Sequence, residues 1–514
     1  MLDSNIRQHE QSKIQVAKSN QNVVKILINC ARYLSRQDLA FRRNKEEDGN
    51  YIQLVHLMSK YNPLIQHWLA DKADRPYQVT YMSKDSQNEF INLIGEAVLG
   101  KSLSEAKKAR HYSLMADSTP DSNRQEMFSV FIRYVDENLI PKERLISIKE
   151  PTAKTGDALS NHILGVINES GLDPHRLISQ SYDCAKNMSG CFQGVQAQIT
   201  KKLGREIIYV PCTAHRSNTS LKIACEASLD VKCVVDVLQM IYNYFTCSTK
   251  RYNVLKEKYA SNSFALIPKT TGATRWNSKY ESFKAVYESY GEILQALDHI
   301  TNDDEHFDSD TRTESRTITK NMKSFNFITY SVFVKNLMST TNALTCDFQE
   351  EKLDLVTATK TLQKTIILLQ SERNDDDNLN RILDISGNDA IVISEMVGVN
   401  DPQLLFKEIK LFALDINEQC DTISKAAQFI VERKEVIPRL YQAYSFLLTL
   451  PVTVASNARG FSKLKIIKNR LRSRIDDDRL QSLLLCPIET DLLDELTDEE
   501  LIERWLKNKC GRRI

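Results

Sequence analysis

Apolar positions change period repeatedly along the chain. From Val23 to Leu34 ("VVKILINCARYL") they recur at three- and four-residue steps, which predicts an amphipathic helix after a polar start. The stretches "YIQLVHLMSKY" and "QNEFINLIGEAVLG" extend helical periodicity to about residue 108. At residue 109 the pattern becomes short and strand-like. "YSLMA", "MFSVFIRYV" and "RLISIK" follow in close order, and the short turns between them predict an antiparallel meander. "TGDALSNHILGVINESGL" then predicts a helix with Thr155 as N-cap and Gly171 as stop. "HRLISQSYD" reads as a fourth strand ending on Asp183, "KNMSGCFQGVQAQITKKLG" as a helix and "EIIYVPC" as a fifth strand. From about 215 to 450 the period is helical again, with acidic breaks at "TNDDEHFDSD" and "ERNDDDNLN" that read as solvated loops. The last part runs from "SFLLTLPVTVA" through a basic helix, "RGFSKLKIIKNRLRSR", to an acidic amphipathic helix, "DLLDELTDEELIERWLKNKC".

The order β-β-β-α-β-α-β predicts an α/β fold: a ribonuclease-H-like mixed sheet, interrupted by a large all-α insertion and preceded by a helical N-terminal region. The expected divisions are 1–35, 36–108 (helical), 109–260 (core), 261–440 (insertion) and 441–514. In this topology strands one and four are neighbours at the sheet centre, and both end on an acid. Asp117 and Asp183 then share a cleft, where like charges repel unless a cation intervenes. Mg²⁺ or Mn²⁺ suits oxygen ligands, and two such ions support phosphodiester chemistry. Read alone, Asp117 is equally a turn acid and Asp183 equally an N-cap.

Composition narrows this picture. With 514 residues the chain spans two to four units, and 42% hydrophobic residues is ordinary for a globular protein. The formal net charge of +1 gives no global field toward nucleic acid or membrane, so any nucleic-acid contact needs a local patch. No apolar run approaches the length of a membrane span, and the N-terminus has no apolar signal region. Eleven scattered cysteines without a CxxC pair suit reduced thiols in the cytosol or nucleus. The local basic patch is Lys463, Lys465, Lys468, Arg470, Arg472 and Arg474, read as phosphate-contacting or as a solvated helix face.

Several stretches carry a family resemblance. "LMADSTPDSNRQEMFSVFIRYVD", "SQSYDCAKNMSGCFQGVQAQI", "YVPCTAHRSN", "TRWNSKYES" and "LPVTVASNARGFSKLKIIKNRLRSRIDDDRLQSLLL" resemble, in order, blocks of the hAT-type transposase-like proteins, zinc finger MYM-type protein 1-like group. The resemblance implies that Asp117 and Asp183 match the first two acids of a DDE site. It places Cys212 and His215 beside that site, and Arg275 and Trp276 on flanking DNA. It also implies a C-terminal dimerisation segment, hence a homo-oligomer. The apolar segments "LYQAYSFLLTL" and "LQSLLL" suit that role and suit internal core equally.

The departures set the functional expectation. The position of the third acid is Ala458, and no Asp or Glu lies between Glu435 and Asp476. A methyl group cannot ligate a cation. Pro120 replaces a threonine of the first motif, and the Cys/His set of an N-terminal zinc finger is missing, from truncation or loss. The expectation is a transposase-derived nuclear protein without catalysis, binding no cofactor tightly, with DNA or protein partners and no membrane. The alternative is a DDE transposase or nuclease using Mg²⁺ or Mn²⁺, which needs another acid, such as Glu432 or Glu435, in the site.

Overall fold

The structure is a computed structural model. It describes residues 2–70, 80–121, 123–259, 276–348, 354–373, 391, 393–395, 397–399, 401–419, 423–468 and 475–507. Two compact units divide the chain, Met1–Val210 with Gly387–Ile514, and Pro211–Ser386.

The first unit opens with helices α1 (Leu2–Arg36), α2 (Asn50–Ser59), α3 (Pro63–Ala70) and α4 (Lys84–Lys108). The meander follows as β1 (Tyr112–Pro120), β2 (Glu126–Val135) and β3 (Pro141–Lys149), then α5 (Gly156–Glu169), β4 (Leu177–Ser181), α6 (Lys186–Ser189), α7 (Val195–Leu203) and β5 (Ile208–Tyr209). The sheet order is β3-β2-β1-β4-β5. The β1–β2 and β2–β3 pairs are antiparallel, and β1–β4 and β4–β5 are parallel. This is the mixed ribonuclease-H-like sheet. Period-two alternation decides its faces. Leu114, Ala116, Phe128, Val130 and Ile132 point to one side and form a core with Leu159 and Ile163 of α5 and Val195 and Ile199 of α7. Thr155 caps α5, its side chain accepting from the Ala158 N–H, and Gly171 takes the left-handed conformation just past the helix end.

The stretch expected to be one helix over 186–204 is two. The chain turns between Gly190 and Gly194, whose N–H donates to the Gly190 carbonyl at 3.0 Å. The fifth strand is only two residues long.

The second unit is all helical, with α8 (Thr213–Glu226), α9 (Leu229–Thr246), α10 (Thr249–Tyr259), α11 (Trp276–Glu288), α12 (Tyr290–Asn302), α13 (Ser309–Met322), α14 (Phe325–Asp347) and α15 (Leu355–Arg373). Its core is one apolar cluster that includes Leu238, Ile241, Ile293, Leu297, Ile318 and Val334. The acidic break at 301–310 is the α12–α13 connection, where Asp308 caps α13. From residue 374 the second acidic break lies outside the described residues. The insertion is therefore 211–386 rather than 261–440. Helices α8 to α10 bury their apolar faces in the helical cluster, and the residues after 386 return to the first unit.

The returning segment forms α16 (Pro402–Gln419), α17 (Ile423–Glu432), α18 (Pro438–Thr449), α19 (Ala455–Ile467), α20 (Asp477–Ile488), α21 (Thr490–Asp494) and α22 (Asp498–Lys507). The acidic C-terminal stretch is two helices, not one. In "LQSLLL", Leu480, Leu483, Leu484 and Leu485 are at most 2% exposed, because α20 packs on α4 and α1 of the same chain. The approach of α4 and α20 is tight enough that a Cβ on Gly95 would lie 2.5 Å from Ser482 Cβ. A charged clamp reinforces it. Arg144 of β3 donates to Glu489 at 2.8 Å and to Asp491 at 2.7 Å, and the Leu145 N–H donates to Glu489 at 2.8 Å. Among the described residues no helix is long and apolar enough to cross a membrane.

Candidate functional site

Asp117 lies within β1, opposite Ser129 of β2. The strand continues past it to Pro120, so the acid is a strand residue rather than a terminal one. The parallel β1–β4 register pairs Met115 with Ser181. That is the last pair of the register: Asp117 lies two residues further along β1, and Asp183 lies two residues past the end of its neighbour β4. Their chain neighbours Ala116 and Tyr182 are buried in the core with α5 and α7. Alternation along β1 therefore directs the Asp117 carboxylate to the opposite face, while Asp183 sits in the turn that follows β4. Each is half-buried. Asp117 Oδ1 accepts the Ser118 N–H at 2.8 Å, and Asp183 Oδ1 accepts the Ala185 N–H at 3.2 Å. Asp183 thus closes the turn ahead of α6, whose N-cap is Ala185.

Helix α19 covers that face. Asn457, fully buried, donates from Nδ2 to Ser129 Oγ at 2.9 Å, and Ser129 Oγ donates to the Asp117 carbonyl at 3.3 Å. Gly460 lies over the Phe131 ring. Just past the helix, Lys468 Nζ lies 2.8 Å from Asp121 Oδ2, with side chains 2% and 0% exposed. Burial would raise the Asp121 carboxyl. The Lys468 ammonium and the backbone N–H groups of Gln125 and Asn123 outweigh it and hold that carboxyl below its ordinary range. Two anchors thus fix α19 across the β1–β2 hairpin, and Ala458 is the residue next to the first anchor.

Glu432 and Glu435 do not enter this site. Helices α17 and α18 pack through Phe429, Ile430, Ile437 and Leu440 against Val135 and Leu139. Val135 is six residues along β2 from the partner of Asp117, about 20 Å at strand rise. Glu432 is exposed and bonded to Gln428 and Arg433, and Glu435 is exposed. Among the described residues no three His, Cys, Asp or Glu side chains are grouped so as to hold a metal ion. Two carboxylates, each with one oxygen engaged by backbone, do not fit a two-ion site.

The basic run divides. Lys463 pairs with Asp38 at 2.8 Å, Lys465 is exposed, and Lys468 is buried on Asp121, so its ammonium is not offered to solvent. The expected helix over 463–474 stops at Ile467, and Arg470, Arg472 and Arg474 lie outside the described residues, as does Arg275. Trp276 opens α11. Cys212 is buried at the N-cap of α8 and His215 is exposed on its first turn, both in the second unit.

Behind the site stands a buried network that sequence reasoning missed. Arg133, 1% exposed, donates to Glu143 Oε1 at 2.7 Å and to the Leu448 carbonyl at 3.0 Å. Glu143 also accepts from Ser456, whose hydroxyl accepts from Arg459 at 2.7 Å. The available signal was an arginine in the middle of the apolar run "VFIRYV", where an unpaired charge would be costly.

The sheet order and the covering helix define a ribonuclease-H-like core completed by C-terminal helices. Residues 3–194 match a family described as ZMYM1/FAM200, RNase-like domain, and residues 404–486 match the hAT family C-terminal dimerisation region. The chain belongs to the hAT-type transposase-like proteins. It is 20% identical over 289 residues to the human "52 kDa repressor of the inhibitor of the protein kinase", covering 55% of this chain and 38% of the relative. The mouse protein of the same name gives 20% over 290 residues, with the same coverage. The matched stretch thus spans well under two thirds of either relative.

Proposed function

We propose that this chain is a transposase-derived nuclear protein that keeps the ribonuclease-H-like scaffold without its chemistry and acts by self-association and by binding DNA or protein. The observation that carries this reading is Ala458. It occupies the third-acid position on a helix anchored beside Asp117, while Glu432 and Glu435 lie at the far end of the sheet. A chain with two of three acids has lost the geometry that holds two ions, so Mg²⁺ or Mn²⁺ binds weakly if at all. The relatives are named as repressors, a role that needs binding surfaces rather than bond cleavage.

Self-association rests on the match to the dimerisation region. The leucines of "LQSLLL" are internal core, so the contact surface must come from residues other than these. DNA contact falls to Lys465 and to Arg275, Trp276, Arg470, Arg472 and Arg474. The retained pair Asp117 and Asp183 favours the second reading, a DDE nuclease that survives with two acids. Calorimetric titration of Mn²⁺ into the wild type and Asp183→Asn, with a nicking assay on supercoiled DNA, separates the two. Equal indifference to metal and intact plasmid support the proposal. Tight binding lost in Asp183→Asn, with nicking, refutes it.

A further inference from the structure

We propose that the end of the sheet remote from Asp117 holds a binding site for a phosphate-class oxyanion, built from Tyr112, Lys107 and Arg176. A cavity of about 190 Å³ opens there, between the end of α4, the start of β1 and the turn after α5. Tyr112 lines it. Its side chain is 2% exposed, and its hydroxyl has no hydrogen-bond partner. A buried hydroxyl left unpaired is costly, and an oxyanion supplies the acceptor it lacks.

The wall is cationic. Gly171 has φ +62°, and a Cβ there would come within 3.0 Å of Lys107 Nζ, so the ammonium lies over that turn at the cavity. Arg176 Nη1 donates to the carbonyls of Lys107 and Ala109 at 2.9 and 3.2 Å. Arg205 donates to the carbonyls of Pro174 and Leu177 at 2.7 and 2.6 Å. Neutral carbonyl acceptors orient both guanidinium groups, and among the described residues the only carboxylate that meets Arg176 is Asp173. Among the described lining residues the one carboxylate is Asp173. Its Oδ1 accepts the His175 N–H at 2.9 Å, and its Oδ2 lies 3.9 Å from Arg176 Nε. The adjacent His111 reports the same field. Burial first, then Arg110, Arg176 and Arg205, push its imidazole down to about 4. Burial first, then the Asp173 carboxylate, raise the Tyr112 phenol against the pull of Arg205, so it stays a proton donor. An ammonium, a guanidinium and a phenol converging on one small cavity are donors of the kind that hold a tetrahedral oxyanion.

The phosphate could belong to a nucleic-acid backbone or be free, and one experiment tests the site and names the source. Inorganic phosphate is titrated calorimetrically into the full chain at low ionic strength, then a short duplex without terminal phosphates is added as competitor. The expected result is saturable binding in the wild type, weakened about tenfold in Tyr112→Phe and in Lys107→Gln, and unchanged in the exposed control Lys60→Gln. Displacement by duplex identifies the backbone as the source, and failure to displace identifies a free phosphate ligand. Tyr112→Phe keeps the buried ring, and an unchanged urea midpoint verifies its fold. A flat wild-type titration, or variants that bind as the wild type does, overturns the site.

Discussion

Removing the Arg144 guanidinium tests whether the C-terminal segment is a structural part of the core. Arg144 is 6% exposed and Glu489 2%. In Arg144→Ala the Glu489 carboxylate stays buried with the Leu145 N–H as its remaining contact from β3. Above pH 7, where Glu489 is ionised, breaking one side of a buried pair costs about 3–5 kcal/mol. Asp491, the other partner, has a side chain 59% exposed, so Asp491→Ala should cost under about 1 kcal/mol. Urea unfolding followed by tryptophan fluorescence reads both. With an m-value of about 3 kcal/mol/M, the Arg144→Ala midpoint falls by about 1 M or more. Arg144→Met with Glu489→Leu should recover most of that loss. An Arg144→Ala shift no larger than that of Asp491→Ala refutes the clamp.

The same carboxyl sets a pH dependence. Burial pushes Glu489 up from 4.5 to about 7, against the pull of Arg144 and the Leu145 N–H. A carboxyl whose folded value is raised contributes stability that is present below its unfolded value and lost as pH rises through the folded one. This group alone therefore withdraws stability as pH rises from 4.5 to 7. Glu489→Gln should flatten that slope in urea midpoints measured across the window, and an unchanged slope would show that Glu489 does not titrate there.

Other substitutions probe the site and its supports. Ala458→Glu should create Mn²⁺ binding that Ala458→Gln lacks and that Asp183→Asn removes; calorimetry showing no gain would mean that α19 does not aim this position at the acids. Lys468→Met strands a buried Asp121 carboxylate and should cost about 3 kcal/mol, against under about 1 for the half-exposed Lys463→Met. Equal urea midpoints for those two would contradict the burial of Lys468. Gly95→Val puts a side chain into the α4–α20 contact and should cost about 1–3 kcal/mol or more in thermal unfolding. A neutral Gly95→Val would mean that the two helices part easily.

Sequence by itself determined the features that depend on period and neighbours. Alternating residues in "YSLMA" and "MFSVFIRYV" dictate strands with one face on α5 and α7, because a pleated strand turns successive side chains to opposite sides. The β-β-β-α-β order limits the topology to one that makes β1 and β4 neighbours, with Asp117 in the one and Asp183 just past the end of the other. Helix ends marked by Thr155 and Gly171 are local chemistry and were equally legible. Tertiary structure decided what depends on partners far along the chain. "LQSLLL" reads the same whether it faces a second copy or α4, and only the packing shows it buried. Lys468 has the pattern of a solvated basic residue until Asp121, far away in sequence, takes its ammonium out of water. The distance of Glu432 and Glu435 from Asp117 follows from where α17 and α18 dock, on Val135 and Leu139, and no spacing in the sequence encodes it. Period is a property of adjacent residues, whereas burial and charge pairing belong to the pairs that folding brings together.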